Sequence, residues 1–461
     1  MAKGALSNID MILNGSTAEL SFSRFPALAR AVFKSSYSSH RKFPGSRGIE
    51  LIILATKMLT GGQYDSENLV AVLKEAVGSK RRIFDVSTTE TAGCKVAIIT
   101  SRASDGKACV FGNYRGQSQR TENSAYDAEC SVAAPLSVFL FLSLCLIHFK
   151  TLLTRSSFFK TKFLPGFGQL QDGGVRANNP LAIALKESNK IWPKAKKNDL
   201  VLSIGTGVSL PDCYTVPDTS NVFRDGSIPR LIRATLSSPC MDGEQGFAEA
   251  LNYLPSDTKS DIFRLNQPVD GPLPRLDDVG KMNSMLDLKY SVPDDLVRKI
   301  LASAFFFFEL DVEPMKRDDG FLCQGSILCS RGDINIILKQ ALLEMPNAHF
   351  QTARGQYLGG INENDGCPSC GYFRKAVRFT VTNLDEMASI EIANTQFCHE
   401  IGGFPKSAQE LLIEQQSHAQ FGRADHKVDQ WPPSRACYCS QATKRHIKFV
   451  EPSLGQKRRR L

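Results

Sequence analysis

The residues with the clearest chemical potential lie in the stretch LPGFGQLQDGGVRANNP, residues 164–180. Asp172 is followed directly by Gly173 and Gly174, and glycines allow backbone angles and close approaches that a side chain would block. The carboxylate is therefore displayed at a tight turn, where it can act as a general base, a metal ligand or only a turn former. Asp-Gly turns are common, so the flanking sequence must decide between these uses.

Two segments predict helices. After Asp172, the segment NNPLAIALKESNKIWP predicts a helix with Asn179 as its cap and Pro180 at the first helical position, ended by Pro193. The apolar face of that helix is expected to comprise Leu181, Ala184, Leu185, Ser188, Ile191 and Trp192. Further upstream, DSENLVAVLKEAVG predicts a surface helix between Asp65 and Gly78. This helix is indicated by apolar residues at helical spacing: Leu69, Val72, Leu73, Ala76 and Val77.

Two short apolar runs predict strands. KVAIITS (residues 95–101) and DLVLSIGTG (residues 199–207) are rich in β-branched and aliphatic residues, as is typical of strands buried in parallel sheets. Asp172 is thus expected at the end of a strand or loop, just before a helix that leads to another strand. In α/β enzymes this is where side-chain chemistry is concentrated. A further apolar run at residues 305–308 predicts a core strand.

Composition limits the class of protein. With 461 residues, 42% of them hydrophobic, the chain can bury a large core in two or three domains. The net charge of +9 includes the basic residues 457–460, and the excess over the rest is mild, so we expect no nucleic-acid partner. The thirteen cysteines are scattered and the first residues lack a long apolar secretory segment, so we expect a cytoplasmic protein with reduced thiols.

The cysteines also offer a zinc hypothesis. Two groups could supply ligands: Cys367 and Cys370 with Cys398 and His399, and Cys437 and Cys439 with His426 or His446. The adjacency of the second pair in the first group strains tetrahedral geometry. Ordinary thiols are therefore the preferred interpretation, and we expect neither a metal nor a cofactor.

Residues 136–147 form an uncharged apolar segment. With its small-residue lead it reaches about 17 residues, the lower limit for crossing a bilayer. Three interpretations stand: a single-pass membrane helix, a buried core helix, or a segment inserted into the fold.

The order of the motifs resembles the patatin-like phospholipase family in its fungal form. The resemblance rests on FGQLQDGGVRANNPLAIALKESNKIWP followed by LVLSIGTG, and extends back through CKVAIITSRASDGKACVFGNYRG and SVAAP. Forwards, DIFRLNQPVDGPLPRLDDVGKM, FFFFELDVEP and CQGSILCSRGD are similar to the extension that follows the catalytic domain in these proteins. The resemblance covers most of residues 16–405. It implies an α/β fold with a three-layer sheet and helices on both faces, incomplete in its N-terminal half, plus a C-terminal extension.

The resemblance also implies an activity. Patatin-like enzymes hydrolyse acyl esters of phospholipids or acylglycerols with a Ser-Asp dyad, so Asp172 corresponds to the base and Gly173 and Gly174 complete its motif. The nucleophile belongs in a Gly-x-Ser-x-Gly motif, which this sequence lacks, so the nucleophile is unknown. Two hypotheses follow. One is a lipid acyl hydrolase that acts on a lipid or membrane surface. The other is an inactive remnant or incomplete gene model that at most binds lipid or a partner.

The resemblance finally predicts an organisation. STAELSFSRFPALARAVFK is similar to the helix after the nucleophile elbow, with Ser16 and Glu19 as a capping box, so we expect the chain to start beyond that elbow. Residues 1–210 would be the C-terminal part of the hydrolase domain, residues 211–400 the extension, and residues 401–461 a basic, cysteine-containing tail. Residues 136–157 interrupt the family pattern, so an insertion is preferred there to a membrane span. Peripheral membrane association fits this interpretation, and the sequence does not define an oligomeric state.

Overall fold

The computed structural model describes residues 17–33, 66–77, 95–114, 126–129, 161–209, 242–269, 271, 278–286, 291–329, 334–362, 366 and 373–415. They group into two compact units, one within residues 1–197 and 202–291, the other within residues 198–201 and 292–461. Both units combine helices with sheets, which agrees with the α/β class expected from the sequence. The domain boundaries after residues 210 and 400 stay predictions.

The first unit carries the strands and helices around Asp172. Its helices are α1 (Ala18–Val32), α2 (Ser66–Val77), α3 (Gly174–Ala177), α4 (Leu181–Ile191), α5 (Gly243–Asn252), α6 (Ser256–Lys259) and α7 (Met282–Leu286), the last preceded by a 3₁₀ turn at Val279–Lys281. Its strands are β1 (Ala97–Arg102), β2 (Ala108–Gly112), β3 (Tyr126–Glu129), β4 (Lys162–Leu164), β5 (Gly168–Asp172), β6 (Val201–Ile204), β7 (Val208–Ser209), β8 (Ile262–Leu265) and β9 (Pro268–Val269).

Five of these strands form one sheet in the order β3-β2-β1-β5-β4. Strand β1 pairs antiparallel with β2 and with β5, and only β2 and β3 run parallel. The parallel arrangement expected for residues 95–101 is therefore wrong. A tight turn explains it: Gly106 has φ +68°, and Asp105 Oδ1 accepts a hydrogen bond from Lys107 N at 3.0 Å. Such a turn returns the chain directly alongside β1, which requires antiparallel pairing.

Strand β6, predicted as a buried strand, also differs from expectation. It pairs with β8 in a separate two-stranded sheet, while β7 pairs with β9 in another. Its residues alternate between half-buried and exposed, and the side chain of Ile204 is 64% exposed. One face of this strand is thus exposed to solvent, whereas a strand inside a parallel sheet is covered on both faces.

Helix positions were predicted well, and caps less well. Helix α2 buries Leu69, Val72 and Leu73, as its periodicity predicted. Helix α1 is capped by Thr17, whose side chain accepts a hydrogen bond from Leu20 N at 3.3 Å. Ser16, the predicted cap, lies outside the described residues.

The second unit contains α8 (Asp294–Ile300), α9 (Ile334–Glu344) and α10 (Ala408–Glu414), with a π-helical turn at Leu301–Phe305. Its strands are β10 (Phe306–Leu310), β11 (Met315–Arg317), β12 (Gly320–Cys329), β13 (His349–Thr352), β14 (Tyr357–Gly360), β15 (Arg374–Val381), β16 (Met387–Ala388), β17 (Ile390–Ala393), β18 (Cys398–Glu400) and β19 (Lys406–Ser407). Two antiparallel four-stranded sheets, β10-β12-β11 with β15 beside β12, and β14-β13-β17-β18, enclose its core.

That core is built on phenylalanines. Phe306 and Phe308 alternate along β10 and are both buried, which confirms the core strand predicted from the apolar run. The ring of Phe306 makes edge contacts with Phe350 at 5.6 Å and with Phe373 at 5.4 Å between centroids. Edge-to-face contacts of this kind add to the stabilisation from apolar burial.

In the part of the chain that the structure describes, no helix is both long enough and apolar enough to cross a membrane. The apolar segment 136–147 and the insertion predicted at 136–157 lie outside the described residues.

Candidate active site around Asp172

Asp172 is the last residue of strand β5 and is directly followed by helix α3. It is 3% exposed, and its cross-strand partner on β1 is Thr100. The Oδ1 atom of Asp172 accepts a hydrogen bond from Gly174 N at 2.9 Å. The structure thus places the carboxylate at a strand end before a helix and fixes one of its oxygens by a backbone donor.

The two glycines after Asp172 have separate roles. A Cβ on Gly173 would lie 2.2 Å from the carbonyl oxygen of Ile99, so only glycine lets this turn pack against β1. A Cβ on Gly174 would lie 3.3 Å and 3.4 Å from the two carboxylate oxygens of Asp172. Gly174 therefore leaves space directly beside the carboxylate that a side chain would take.

Asn179 connects the start of helix α4 to the rest of the site. Its Oδ1 accepts a hydrogen bond from Leu181 N at 3.1 Å. The helix begins at Leu181 with Pro180 at the cap position, so the prediction of Asn179 as the cap and Pro180 as the first helical residue is wrong by one residue. Its Nδ2 donates to Ser203 Oγ at 3.3 Å and to the carbonyl oxygen of Gly243 at 3.0 Å. One asparagine thus ties together three segments that are distant in sequence.

The apolar face predicted for helix α4 is partly wrong. Trp192, which follows the helix, is 52% exposed, whereas Glu187 is buried. The carboxylate of Glu187 accepts a hydrogen bond from Tyr114 Oη at 3.0 Å and pairs with Lys190 Nζ at 3.0 Å. A buried carboxylate with these two partners is compensated, which periodicity alone does not predict.

A polar cluster centred on Arg264 lies next to this helix start. Arg264 donates from Nε and Nη2 to Glu244 Oε1, at 3.0 Å and 2.5 Å, and from Nη1 to Ser203 Oγ at 2.9 Å. Asn266 donates from Nδ2 to the same glutamate oxygen at 2.6 Å and accepts from Gly207 N at 2.7 Å. The cluster therefore fixes the Ser-Ile-Gly-Thr-Gly turn against strand β8.

Asn178 lies between this cluster and Asp172. A Cβ on Gly174 would be 3.6 Å from Asn178 Oδ1 and 3.4 Å or less from the Asp172 carboxylate. A Cβ on Gly243 would be 3.5 Å from Asn178 Nδ2 and 3.6 Å from Arg264 Nη2. Asn178 therefore lies close to Asp172 on one side and to Arg264 on the other. Gly174 and Gly243 lie at these two contacts and leave space for them.

The sequence predicted Asp172, Gly173 and Gly174 as site residues and did not single out Arg264, Glu244 and Asn266, which form the neighbouring polar cluster. The missed residues follow the motif by more than sixty positions, since β8 and the start of α5 begin far downstream. A weak signal existed: Arg264 and Asn266 are separated by one residue, which places both side chains on one face of an extended segment.

The structure does not assign the nucleophile. Thr100, opposite Asp172, donates its hydroxyl to the carbonyl oxygen of Cys109 at 3.4 Å. Ser101 is the next residue of the strand, so its side chain projects to the opposite face of the sheet.

Of the proposed zinc ligands, Cys398 and His399 are among the residues that the structure describes. Cys398 and His399 lie on strand β18, where Cys398 Sγ contacts Glu391 Oε2 at 2.8 Å and His399 Nε2 lies 3.2 Å from Asp295 Oδ1. Burial and the Glu391 carboxylate raise the pKa of the Cys398 thiol to about 12. The other proposed ligands, Cys367, Cys370, Cys437, Cys439, His426 and His446, lie outside the described residues. Among the described residues, no three His, Cys, Asp or Glu side chains group in a way that could hold a metal ion.

Comparison with known proteins adds a distant relationship. Calcium-independent phospholipase A2-gamma of Mus musculus is 29% identical over 215 residues, which cover 46% of this chain and 24% of the relative. The protein of that name from Rattus norvegicus is 29% identical over 249 residues, covering 52% and 28%, and the one from Oryctolagus cuniculus is 30% identical over 152 residues, covering 31% and 16%. The chain thus spans about a quarter of the length of the first relatives, and no family model matches it. It is similar, at low identity, to phospholipases.

Proposed function

We propose that this chain is a lipid acyl hydrolase of the patatin type in which Asp172 is the base. The observation that supports the proposal is the placement of Asp172: a buried carboxylate at the end of a strand, held by Gly174 N–H, with space beside it because residue 174 is a glycine. The similarity to phospholipases supports the same reaction class, the hydrolysis of an acyl ester.

The proposed reaction has two steps. In the first, a serine hydroxyl attacks the ester carbonyl while Asp172 accepts the hydroxyl proton, and the alcohol then leaves with that proton as the acyl-serine forms. In the second, water attacks the acyl-serine while Asp172 accepts a proton from the water, and Asp172 returns that proton to the serine oxygen as the bond to the acyl group breaks and the fatty acid is released. A base in this position contributes roughly 10²- to 10⁴-fold to the rate.

The substrate class proposed is a phospholipid or acylglycerol presented at a lipid surface. The relatives are named calcium-independent phospholipases, so we expect hydrolysis by this chain to continue unchanged when a calcium chelator is added. Loss of activity with EGTA, restored by added calcium, would assign the carboxylate a different use.

A second candidate is a protein that binds lipid or a partner without catalysis. The sequence itself favours it, because no Gly-x-Ser-x-Gly motif occurs anywhere in the 461 residues. The two candidates differ in one respect that an assay can detect, the turnover of an ester.

The test is hydrolysis of p-nitrophenyl butyrate by the parent chain, by Asp172→Asn and by Asp105→Asn. The control removes the same charge from an exposed turn of the same sheet. We expect turnover by the parent and the control, and a loss of about 10²-fold or more in Asp172→Asn. An inactive parent would favour the binding protein, and equal activity in all three would exclude Asp172 as the base.

A further inference from the structure

The turn that follows helix α4 displays an aromatic residue and lysines together. Residues 192–196, here named the Trp192 turn, are all exposed, and the indole side chain of Trp192 is 52% exposed. The turn therefore places an exposed aromatic ring and exposed lysines within five consecutive residues.

Local hydrogen bonds hold the turn in place. Trp192 N donates to the carbonyl oxygen of Ser188 at 2.9 Å, and Ala195 N donates to the carbonyl oxygen of Trp192 at 3.0 Å. Pro193 ends the helix and fixes its own φ angle. Trp192 and Lys194 are therefore presented by a closed turn.

The charge around the turn is positive. Residues 186–197, KESNKIWPKAKK, contain five lysines and a single acid, Glu187. That acid is buried and paired with Lys190 at 3.0 Å, and Lys197 lies 3.6 Å from Asp261. Lys194 and Lys196 are the exposed charges closest in sequence to the indole.

We infer that the Trp192 turn docks this protein on an anionic bilayer surface. An indole is favoured at the boundary between lipid and water because one end is apolar and the other donates a hydrogen bond. Lysines beside it are attracted to anionic headgroups, and stable attachment of a peripheral protein generally needs an apolar and a basic signal together. Docking does not require hydrolysis, so vesicle binding and esterase activity can fail independently.

Tryptophan fluorescence reports on this surface directly. The chain has two tryptophans, so in the full chain carrying Trp431→Phe the emission comes from Trp192 alone. Vesicles of phosphatidylcholine with about one-third phosphatidylserine should shift that emission to shorter wavelength, and brominated acyl chains should quench it. Pure phosphatidylcholine vesicles should do neither, and added salt should release the protein, because the attraction is electrostatic.

Sedimentation with the same vesicles tests the residues. Trp192→Ala and the double variant Lys194→Glu, Lys196→Glu should each lower the affinity about tenfold or more. The matched control is Lys74→Glu with Lys107→Glu, which changes the net charge equally at exposed sites of the same unit and should bind like the parent.

Three results would overturn the inference. One is an unshifted emission of Trp192 when the protein sediments with vesicles. Another is equal loss of binding in the control double variant, which would show a nonspecific charge effect. The third is loss of binding only when residues 457–460 are replaced by serine, which would assign docking to the basic end of the chain.

Discussion

The region around Asp172 and the core of the second unit are held together in different ways. In the second unit, two antiparallel sheets enclose a continuous set of buried aromatic and aliphatic side chains, including Phe306, Phe350 and Phe373. Around Asp172, short strands and helix ends are joined by hydrogen bonds from Asn179, Arg264 and neighbouring polar groups.

The difference predicts how each region responds to change. Apolar burial is distributed over many contacts, and each large side chain contributes several kcal/mol to stability. A cluster of partly exposed polar groups contributes little net stability, because its members also bond well to water. Substitutions in the Phe core should therefore unfold the protein, whereas substitutions in the Arg264 cluster should mainly change geometry at the site.

The largest loss of stability is expected for Phe350→Ala. Phe350 is fully buried and contacts Phe306, so the truncation should lower the free energy of unfolding by about 3–5 kcal/mol. Urea unfolding followed by circular dichroism measures it. Tyr357→Ala, which removes an aromatic ring that is 65% exposed on the adjacent strand, is the control and should cost far less.

A somewhat smaller loss is expected for Asp311→Ala. The side chain of Asp311 is fully buried. It accepts a hydrogen bond from Ser326 Oγ at 2.7 Å and forms an ion pair with Arg374 Nη2 at 2.5 Å. Removing it leaves a guanidinium that is 14% exposed without its counter-charge, at a cost of about 3 kcal/mol. Asp294→Ala breaks an exposed pair with Arg298 and should change stability by less than about 1 kcal/mol. Equal losses in the two variants would show that burial does not set the energy of these pairs.

Arg264→Ala tests the polar region. Because the cluster is partly exposed, the unfolding free energy should fall by only about 1–2 kcal/mol. Hydrolysis of p-nitrophenyl butyrate, if Asp172 is the base, should fall about tenfold, since Ser203, which accepts a hydrogen bond from Asn179, loses the one from Arg264. Arg264→Lys keeps the charge but not the forked donors, so it should restore stability more than activity. A variant that loses stability and keeps full activity would contradict a positioning role.

The smallest effect concerns pH and Glu386. Hydrogen bonds from the side chain and backbone of Thr382 and the charge of Arg354 lower the pKa of Glu386. A carboxyl group whose pKa is lower in the folded than in the unfolded state stabilises the folded protein at pH values above its unfolded-state pKa. This contribution disappears as the pH falls through its folded-state pKa. Glu386→Gln should therefore be less stable than the parent at pH 7, and the difference should shrink as the pH falls below the ordinary carboxyl pKa. A stability difference that stays constant over this range would contradict the assignment.

The local parts of the structure were predictable from the sequence. The helices at Ser66–Val77 and Leu181–Ile191 and the strand at Phe306–Leu310 follow from sequence periodicity, which acts over a few residues. The place of Asp172 at a strand end before a helix was predictable for the same reason.

The long-range parts were not predictable. Asn179 bonds to Gly243, and Ser203 to Arg264, across gaps of about sixty residues, and no local pattern encodes such contacts. The burial of Glu187 depends on Tyr114, 73 residues earlier. The antiparallel hairpin of β1 and β2 could have been foreseen, because Asp105-Gly106 is a turn signal between two apolar runs.

The role of Asp172 is tested most directly by labelling with a fluorophosphonate, which reacts covalently with an activated serine. In the parent chain we expect one labelled serine, located by mass spectrometry of the digested protein, which would also assign the nucleophile. In Asp172→Asn the labelling rate should fall about 10²-fold or more, while Asp105→Asn should label like the parent. A serine labelled equally fast in the parent and in Asp172→Asn would contradict the assignment of Asp172 as the base.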